Sequence, residues 1–236
     1  MSGVNFALTW DGVGKKVYEM GCDRGVLYKL GADGTYNNGE AWDGLTGIDE
    51  NPSGADANKQ FANNNIYANL RGTEEYGGAI KAYTYPDGWN ECDGHPEVVA
   101  GVSVGQQNRK GFGLSYRTLK GNDTEGLDYG YEIKLVYGAT CSPTSQSHAT
   151  TTDSPDLEEL SWDFDTVPVD VVSPTGERLK KTSTLVIDST KVNADKLAAF
   201  EQILYGTPAD GNTAAIPARL PLPTEVLQHF YGTQTP

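Results

Sequence analysis

Gly130-Tyr131-Glu132-Ile133-Lys134-Leu135-Val136-Tyr137 decides the fold class. Tyr131, Ile133, Leu135 and Tyr137 recur at every second position, with Glu132 and Lys134 between them. A strand turns successive side chains to opposite faces, so this spacing predicts one apolar face and one polar face. Phe112, Leu114, Tyr116 and Thr118 alternate with Gly113, Ser115 and Arg117 in the same way. Leu160, Trp162 and Phe164 alternate with Ser161, Asp163 and Asp165, and Phe6, Leu8 and Trp10 repeat the pattern near the start. Aromatic and β-branched residues at period two mark half-buried antiparallel strands, so the chain is expected to be mainly β.

Outward from these strands, one internal helix is predicted over 193–205. Asn193 can cap it, and Leu197, Phe200, Ile203 and Leu204 form its apolar stripe. Asp195 sits in its first turn and Gly206 stands at the left-handed C-terminal position. Glu225, Val226 and Leu227 after Pro223 predict a shorter helical turn. Three stretches, 31–40, 49–65 and 142–155, are too long and polar for hairpin turns and are expected to be projecting loops. No internal repeat or linker divides the chain. The reading is one domain over 1–208, followed by a C-terminal arm over 209–236 that is Pro-rich from Pro217 to Pro223.

The 236 residues suffice to bury a sizeable core. Hydrophobic content is low at 37%, yet 13 Tyr make the chain too aromatic for disorder, so polar surface is either exposed or buried against other chains. The net charge of −14 argues against a nucleic-acid grip, which needs clustered Lys and Arg to release counterions. No run of about 18 apolar residues offers a membrane span. Met1 to Trp10 lacks the basic and apolar pattern of a secretory leader. Cys22, Cys92 and Cys141 are then expected as free thiols in a reducing compartment.

A search for reactive groups finds no catalytic constellation. His95, His148 and His229 fall in no zinc or nucleophile motif. Cys92-Asp93-Gly94-His95 offers two metal ligands, but the other two are not visible and Asp-Gly reads as a tight turn. Asp49-Glu50-Asn51-Pro52-Ser53-Gly54 imitates a calcium loop, with Pro52 stiffening its interior and Gln60 where the bidentate Glu belongs. The pairs Glu74-Glu75 and Glu158-Glu159 would point to opposite faces of a strand, unlike glycosidase carboxylates. Arg109-Lys110 reads as a polar turn, and Gly111-Phe112-Gly113 leads into a strand rather than a phosphate-binding helix start. Eight of the 13 Tyr lie between Tyr67 and Tyr137, suited either to stacking on sugars or to facing another protein. The expectation is a protein that is not an enzyme, with no cofactor and no metal.

A set of short segments, taken in order, resembles the major tail proteins of long-tailed bacteriophages, the subunits of the tail tube. It begins with Cys22-Asp23-Arg24-Gly25-Val26-Leu27-Tyr28, Ala41-Trp42-Asp43-Gly44-Leu45 and Asn51-Pro52-Ser53-Gly54-Ala55. It continues with Ala82-Tyr83-Thr84-Tyr85-Pro86, Gly105-Gln106-Gln107 and Phe112-Gly113-Leu114-Ser115-Tyr116-Arg117-Thr118. Gly121-Asn122-Asp123, Gly130-Tyr131, Leu135-Val136-Tyr137-Gly138-Ala139, Ser161-Trp162 and Leu204-Tyr205-Gly206-Thr207 complete it, from about residue 20 to 208. The resemblance implies a β-sandwich or barrel-like subunit with a flanking helix. Six subunits would form a ring whose strands share a 24-stranded inner β-barrel, and rings would stack into a tube. Only a short tail follows Leu220, so no appended immunoglobulin-like domain is expected.

The implied partners are other copies of the chain, the tape-measure protein and further tail components, with double-stranded DNA passing through without tight binding and no membrane. The implied location is the virion tail, reached from the host cytoplasm during assembly. Twenty-four strands about 4.8 Å apart and tilted about 40° give a circumference of about 150 Å. A bore of roughly 35–40 Å remains after side chains, enough for a duplex about 20 Å across. Six chains at −14 each carry −84, and Glu132, Asp163 and Asp165 on alternating strands are candidates for the bore, or else for an outer solvated face. Asp49, Asn51, Pro52, Gly54, Asn63 and Asn64 mark the candidate inter-subunit loop. Rival readings are another virion ring protein (a tail terminator or capsid decoration protein), a carbohydrate-binding β-sandwich, and a β-rich glycoside hydrolase.

Overall fold

The structure is a computed structural model, and it describes residues 8–232 apart from 55, 151, 152, 154, 155, 212 and 213. Strands take 46% of the chain and helices 11%, so the mainly β class holds. In chain order the strands are β1 (Tyr18–Leu30), β2 (Tyr36–Ala41), β3 (Leu45–Glu50), β4 (Ser53–Gly54), β5 (Ala57–Ala62), β6 (Asn65–Arg71), β7 (Glu74–Glu75) and β8 (Gly77–Ala82). The short helix α1 (Trp89–Cys92) precedes β9 (Glu97–Val99), β10 (Val102–Ser103), β11 (Phe112–Asn122), β12 (Gly126–Cys141), β13 (Leu160–Thr166) and β14 (Thr184–Asp188). Then come α2 (Ala194–Tyr205), β15 (Arg219–Leu220) and α3 (Pro223–Phe230).

One antiparallel sheet organises the molecule in the order β15-β2-β1-β11-β12-β13-β8-β3, with β14 also paired to β12. On its edge away from β11, strand β12 serves two neighbours, β14 along residues 132–136 and β13 along 139–141. Between them Gly138 takes φ 63, and a Cβ there would lie 2.1 Å from the Val167 carbonyl oxygen. A side chain is sterically excluded at that point, and the extra residue of the bulge flips the alternation. Before it, Ile133, Leu135 and Tyr137 face the helices; after it, Ala139 and Cys141 join Val136 on the opposite face.

Two cores result, one on each face. Val26, Tyr28, Ile133, Leu135 and Tyr137 pack under Leu197, Phe200 and Leu204 of α2 and Val226 of α3. On the other face the sheet curls toward itself, with Leu45 lying over Gly25, and encloses Leu27, Ile80, Leu114, Phe112, Phe164 and three tryptophans. The rings of Trp42 and Trp89 are 4.8 Å apart, and Trp162 lies 5.6 Å from Trp89. The predicted helix forms as read: the Asn193 side chain accepts from the Lys196 amide at 3.1 Å, and Gly206 ends the helix at φ 74. Helix α3 exceeds the predicted turn, and α1 adds a third helix that the alternation gave no reason to expect.

Four expectations are corrected. The N-terminal strand does not form where it is described: Leu8 and Trp10 are irregular and exposed, and Phe6 lies outside the described residues. The 31–40 loop shrinks to a turn over 31–35, because β2 is held on one side by β1 and on the other by β15. Neighbours on both sides override the weak strand preference of Asn37, Asn38 and Gly39. The 209–236 segment does not project as an arm where it is described. Arg219 and Leu220 pair with β2, Leu220 and Val226 are buried, and Phe230 stacks against Phe200 at 5.3 Å. The 49–65 loop is mostly strand, as set out below. In 142–155, residues 142–150 are irregular as read, while 151, 152, 154 and 155 lie outside the described residues.

Candidate functional site

Residues 45–82 make one long hairpin whose strands pair in three successive stages. Strands β3 and β8 belong to the main sheet, β4 and β7 form a short outer ladder, and β5 and β6 form the distal ladder. Asp49 lies in β3 and pairs with Lys81 at 2.8 Å, and the Asn51 amide donates to the Gly77 carbonyl at 2.8 Å. Pro52 then interrupts the ladder. Gly54 takes φ 78 with the Thr73 carbonyl oxygen 2.6 Å from where a Cβ would sit. Asn63 and Asn64 form the tip at φ 49 and 60. Two successive positive φ values are those of a type I′ turn, whose twist matches paired strands and which Asn tolerates. The residues chosen as loop markers are therefore the punctuation of a hairpin.

Beyond Asn51 this hairpin reaches roughly 40 Å, at about 3.3 Å per residue over some twelve residues. Every residue of β5 is exposed, as is almost all of β6. Phe61 is 69% exposed and Tyr67 81%, with Ile66 and Leu70 also open to solvent. A two-stranded hairpin with no sheet face beneath it is marginally stable alone. Registered partners share a face, so Phe61 stands with Ile66, and Lys59, two residues before Phe61, stands on the same side as Arg71 opposite Ala57. One face of the hairpin thus combines apolar and cationic groups.

The three candidate bore acids are not brought together. Asp163 and Asp165 are exposed on the face of β13 opposite Trp162 and Phe164. Glu132 shares the other face of the sheet, that of Val136, and lies deep in an ion-pair network. The Lys120 ammonium, 9% exposed as a residue, donates to Glu132 at 2.9 Å and to Asp188 at 2.8 Å. These hydrogen bonds, first to Asp188 and then to Glu132, hold Lys120 well above the usual lysine range. Burial opposes ionisation of Asp188, but the Lys120 and Thr190 donors override it and hold the carboxyl far below its usual range. Nearby, Lys134 reaches Glu50 at 2.9 Å, and the Tyr116 hydroxyl donates to the same carboxylate at 2.6 Å.

The reactive side chains are sequestered. Burial pushes the Cys22 thiol up to about 11 and those of Cys92 and Cys141 to about 12, which disfavours the thiolate. His95 leans on Asp93 at 3.2 Å, while Cys92 is buried in the tryptophan core, so that sequence pair does not converge. Among the described residues no group of three His, Cys, Asp or Glu is placed to hold a metal ion. No described helix is long and apolar enough to cross a membrane.

Sequence reading missed the exposed apolar residues of the hairpin. Phe61, Ile66 and Leu70 were visible as apolar residues in a polar stretch, and Asn63-Asn64 was a readable I′ turn. A second missed feature is the β9–β10 hairpin, where Val98, Val99, Val102 and Val104 are all exposed. Comparison with known protein families and with curated proteins finds no match to this chain.

Proposed function

We propose that this chain is a structural subunit of a bacteriophage tail tube, polymerising as stacked hexameric rings around a conduit for DNA. The observation that carries the reading is the 45–82 hairpin, which extends out of the sheet with apolar side chains left exposed among the described residues. Exposed apolar surface on a marginal element is costly in a free protein and useful in one that assembles. The ordered resemblance in sequence and the large antiparallel sheet support the same reading. Among the described residues strand β14 pairs only with β12, so its other edge would be available for a neighbouring subunit, which is how a shared barrel would close.

In this reading DNA slides past a wall that offers phosphates no lysine ladder. Asp163 and Asp165 are the candidates for that wall, being exposed and having no cationic partner among the described residues. Glu132 drops out of the lining role, because Lys120 neutralises it. Tape-measure and other tail proteins would be the further partners, and catalysis has no part in the function.

The test replaces Ser53–Glu75 by a two-residue Asn-Gly turn joining Pro52 to Tyr76. The expected product is a folded, soluble subunit that forms no tubes under negative-stain electron microscopy at concentrations where the full chain does. Normal tubes from the shortened chain would remove the main support for the reading. Closed rings of the full chain that never stack would move it to a tail terminator.

A further inference from the structure

The projecting hairpin needs a receptor, and the molecule carries one candidate at its other end. Strand β8 starts at Gly77, where the β4–β7 ladder enters, and ends at Ala82, from which the chain runs through α1 into the β9–β10 hairpin. The two hairpins therefore leave the sheet at opposite ends of the same strand. Both are two-stranded and stand outside the main sheet. Both expose apolar side chains: Phe61 and Ile66 on one, Val98, Val99, Val102 and Val104 on the other.

Their charges are complementary. Segment 57–71 carries Lys59 and Arg71 and no acid, in a chain whose net charge is −14. Neither cation has an acidic partner among the described residues. At the opposite end, Asp87 and Glu97 line a cleft of about 360 Å³ together with Glu40, Glu91 and Lys29. Lys29 is engaged by Glu40 at 3.4 Å and Glu91 at 3.1 Å, which leaves Asp87 and Glu97 without a cation among the described residues. Glu97 instead accepts the Gly101 amide at 2.6 Å, which fixes its carboxylate beside the valines.

We propose that the β5–β6 hairpin of one copy docks on the β9–β10 hairpin of the next, Phe61 and Ile66 against the valines and Lys59 and Arg71 against Asp87 and Glu97. This contact is heterologous: donor and acceptor are different surfaces at opposite ends of the subunit. A heterologous contact that does not close on itself propagates, so it extends a stack instead of capping a dimer. The occupant is a second copy of this chain, because the acceptor's exposed carboxylates match cations that the donor leaves unpaired in an otherwise acidic protein. Such pairing sets register and suppresses wrong partners as much as it adds affinity. The proposal deepens the tube reading by naming the surface that receives the hairpin.

Cysteine cross-linking tests it. In the I66C/V99C variant, oxidation of concentrated protein is expected to give a ladder of disulfide-linked oligomers on a non-reducing gel, and each single variant at most a dimer. The native thiols stay silent, since Cys92 and Cys141 are buried and Cys22 is half-buried. Tubes without a ladder would overturn the hairpin contact and leave the tube reading standing. A ladder without tubes would support the contact and overturn the tube reading, and the absence of both would overturn both. Charge reversal gives a second readout. K59E/R71E is expected to raise the concentration at which assembly begins by about tenfold or more, and adding D87K/E97K in the same chain is expected to restore it. With all variants folded by circular dichroism, an unchanged onset in K59E/R71E, or no restoration, overturns the proposal.

Discussion

The tryptophan core and the β5–β6 hairpin both hang on antiparallel strands and obey opposite rules. In the core, Trp89 is 1% exposed, Trp162 2% and Phe164 2%, and aromatic rings meet edge to face at 5–6 Å. On the hairpin, Phe61 is 69% exposed. Strand pairing alone does not separate them, since antiparallel ladders run through both. The difference is what lies under each ladder: a second layer in one case and solvent in the other. Stability belongs to the first region and, in the proposed function, association to the second, and each reading can be broken by one substitution.

The largest effect is expected at the core. Trp89→Ala removes a side chain that touches Trp42, Phe112 and Trp162, and should cost about 3–5 kcal/mol in urea or thermal unfolding. That is a large share of a typical total of about 5–15 kcal/mol. Trp89→Phe should cost less than its lost volume suggests. The Trp89 Nε1 is buried without an acceptor among the described residues, so its removal relieves a desolvated N–H. A loss under about 1 kcal/mol for Trp89→Ala would show that the curled half of the sheet does not carry the fold.

The next effect lies in the ion-pair network on the sheet face beyond that core. Lys120→Met leaves Glu132 and Asp188 facing each other with 14% and 12% of their side chains exposed. Removing one partner of so buried a group should cost about 3 kcal/mol near neutral pH. The pH dependence follows from the directions of the shifts. Asp188 is depressed in the fold, so its contribution is present above its unfolded value near 4 and is lost as pH falls through the folded value. Lys120 is raised, so its contribution is complete below about 10.5 and is lost as pH rises through the folded value. The gap between wild type and variant should therefore stay flat from about pH 5 to 10 and narrow toward acid. A gap that widens in acid would mean that Lys120 is held by something other than these carboxylates.

How far the sequence discloses each region follows from where its information is local. The strands around Ile133, Phe112 and Trp162 were legible because each alternates and each half-buries. Helix α2 was legible from Asn193, its stripe and Gly206. The flip at Gly138 was not, since a bulge is set by the approach of Val167 from a distant segment. Strand β2 was hidden for a like reason: its Asn and Gly residues become strand only between β1 and β15, and its β15 partner Leu220 lies 184 residues along the chain from Tyr36 (220 − 36). The candidate site was half legible. Residues 49 to 65 stand out in the sequence as a unit, but their polar composition suggests absence of structure where the fold has a hairpin. An exposed hairpin is polar because it lacks a layer beneath it, and Asn63-Asn64 was the local sign that separated the two readings.

The smallest stability effect is the one that sharpens the comparison most. Phe61→Ser changes a side chain already 69% in water, so unfolding of the dilute subunit should shift by no more than about 0.5 kcal/mol. Serine also lowers strand preference, but in a ladder that packs on nothing the cost falls on local fraying of the hairpin. Association should respond differently. If Phe61 becomes buried only between copies, its loss removes up to about 2 kcal/mol at each contact. At 1.4 kcal/mol per factor of ten, that raises the concentration needed for assembly by about 30-fold. Sedimentation across a concentration series reads association, and a thermal melt of the same samples reads the fold. A variant that melts like wild type and assembles late places Phe61 outside the cooperative fold and inside the interface. A melt lowered as far as that of Trp89→Ala would put the hairpin inside the cooperative unit and erase the distinction between the two regions.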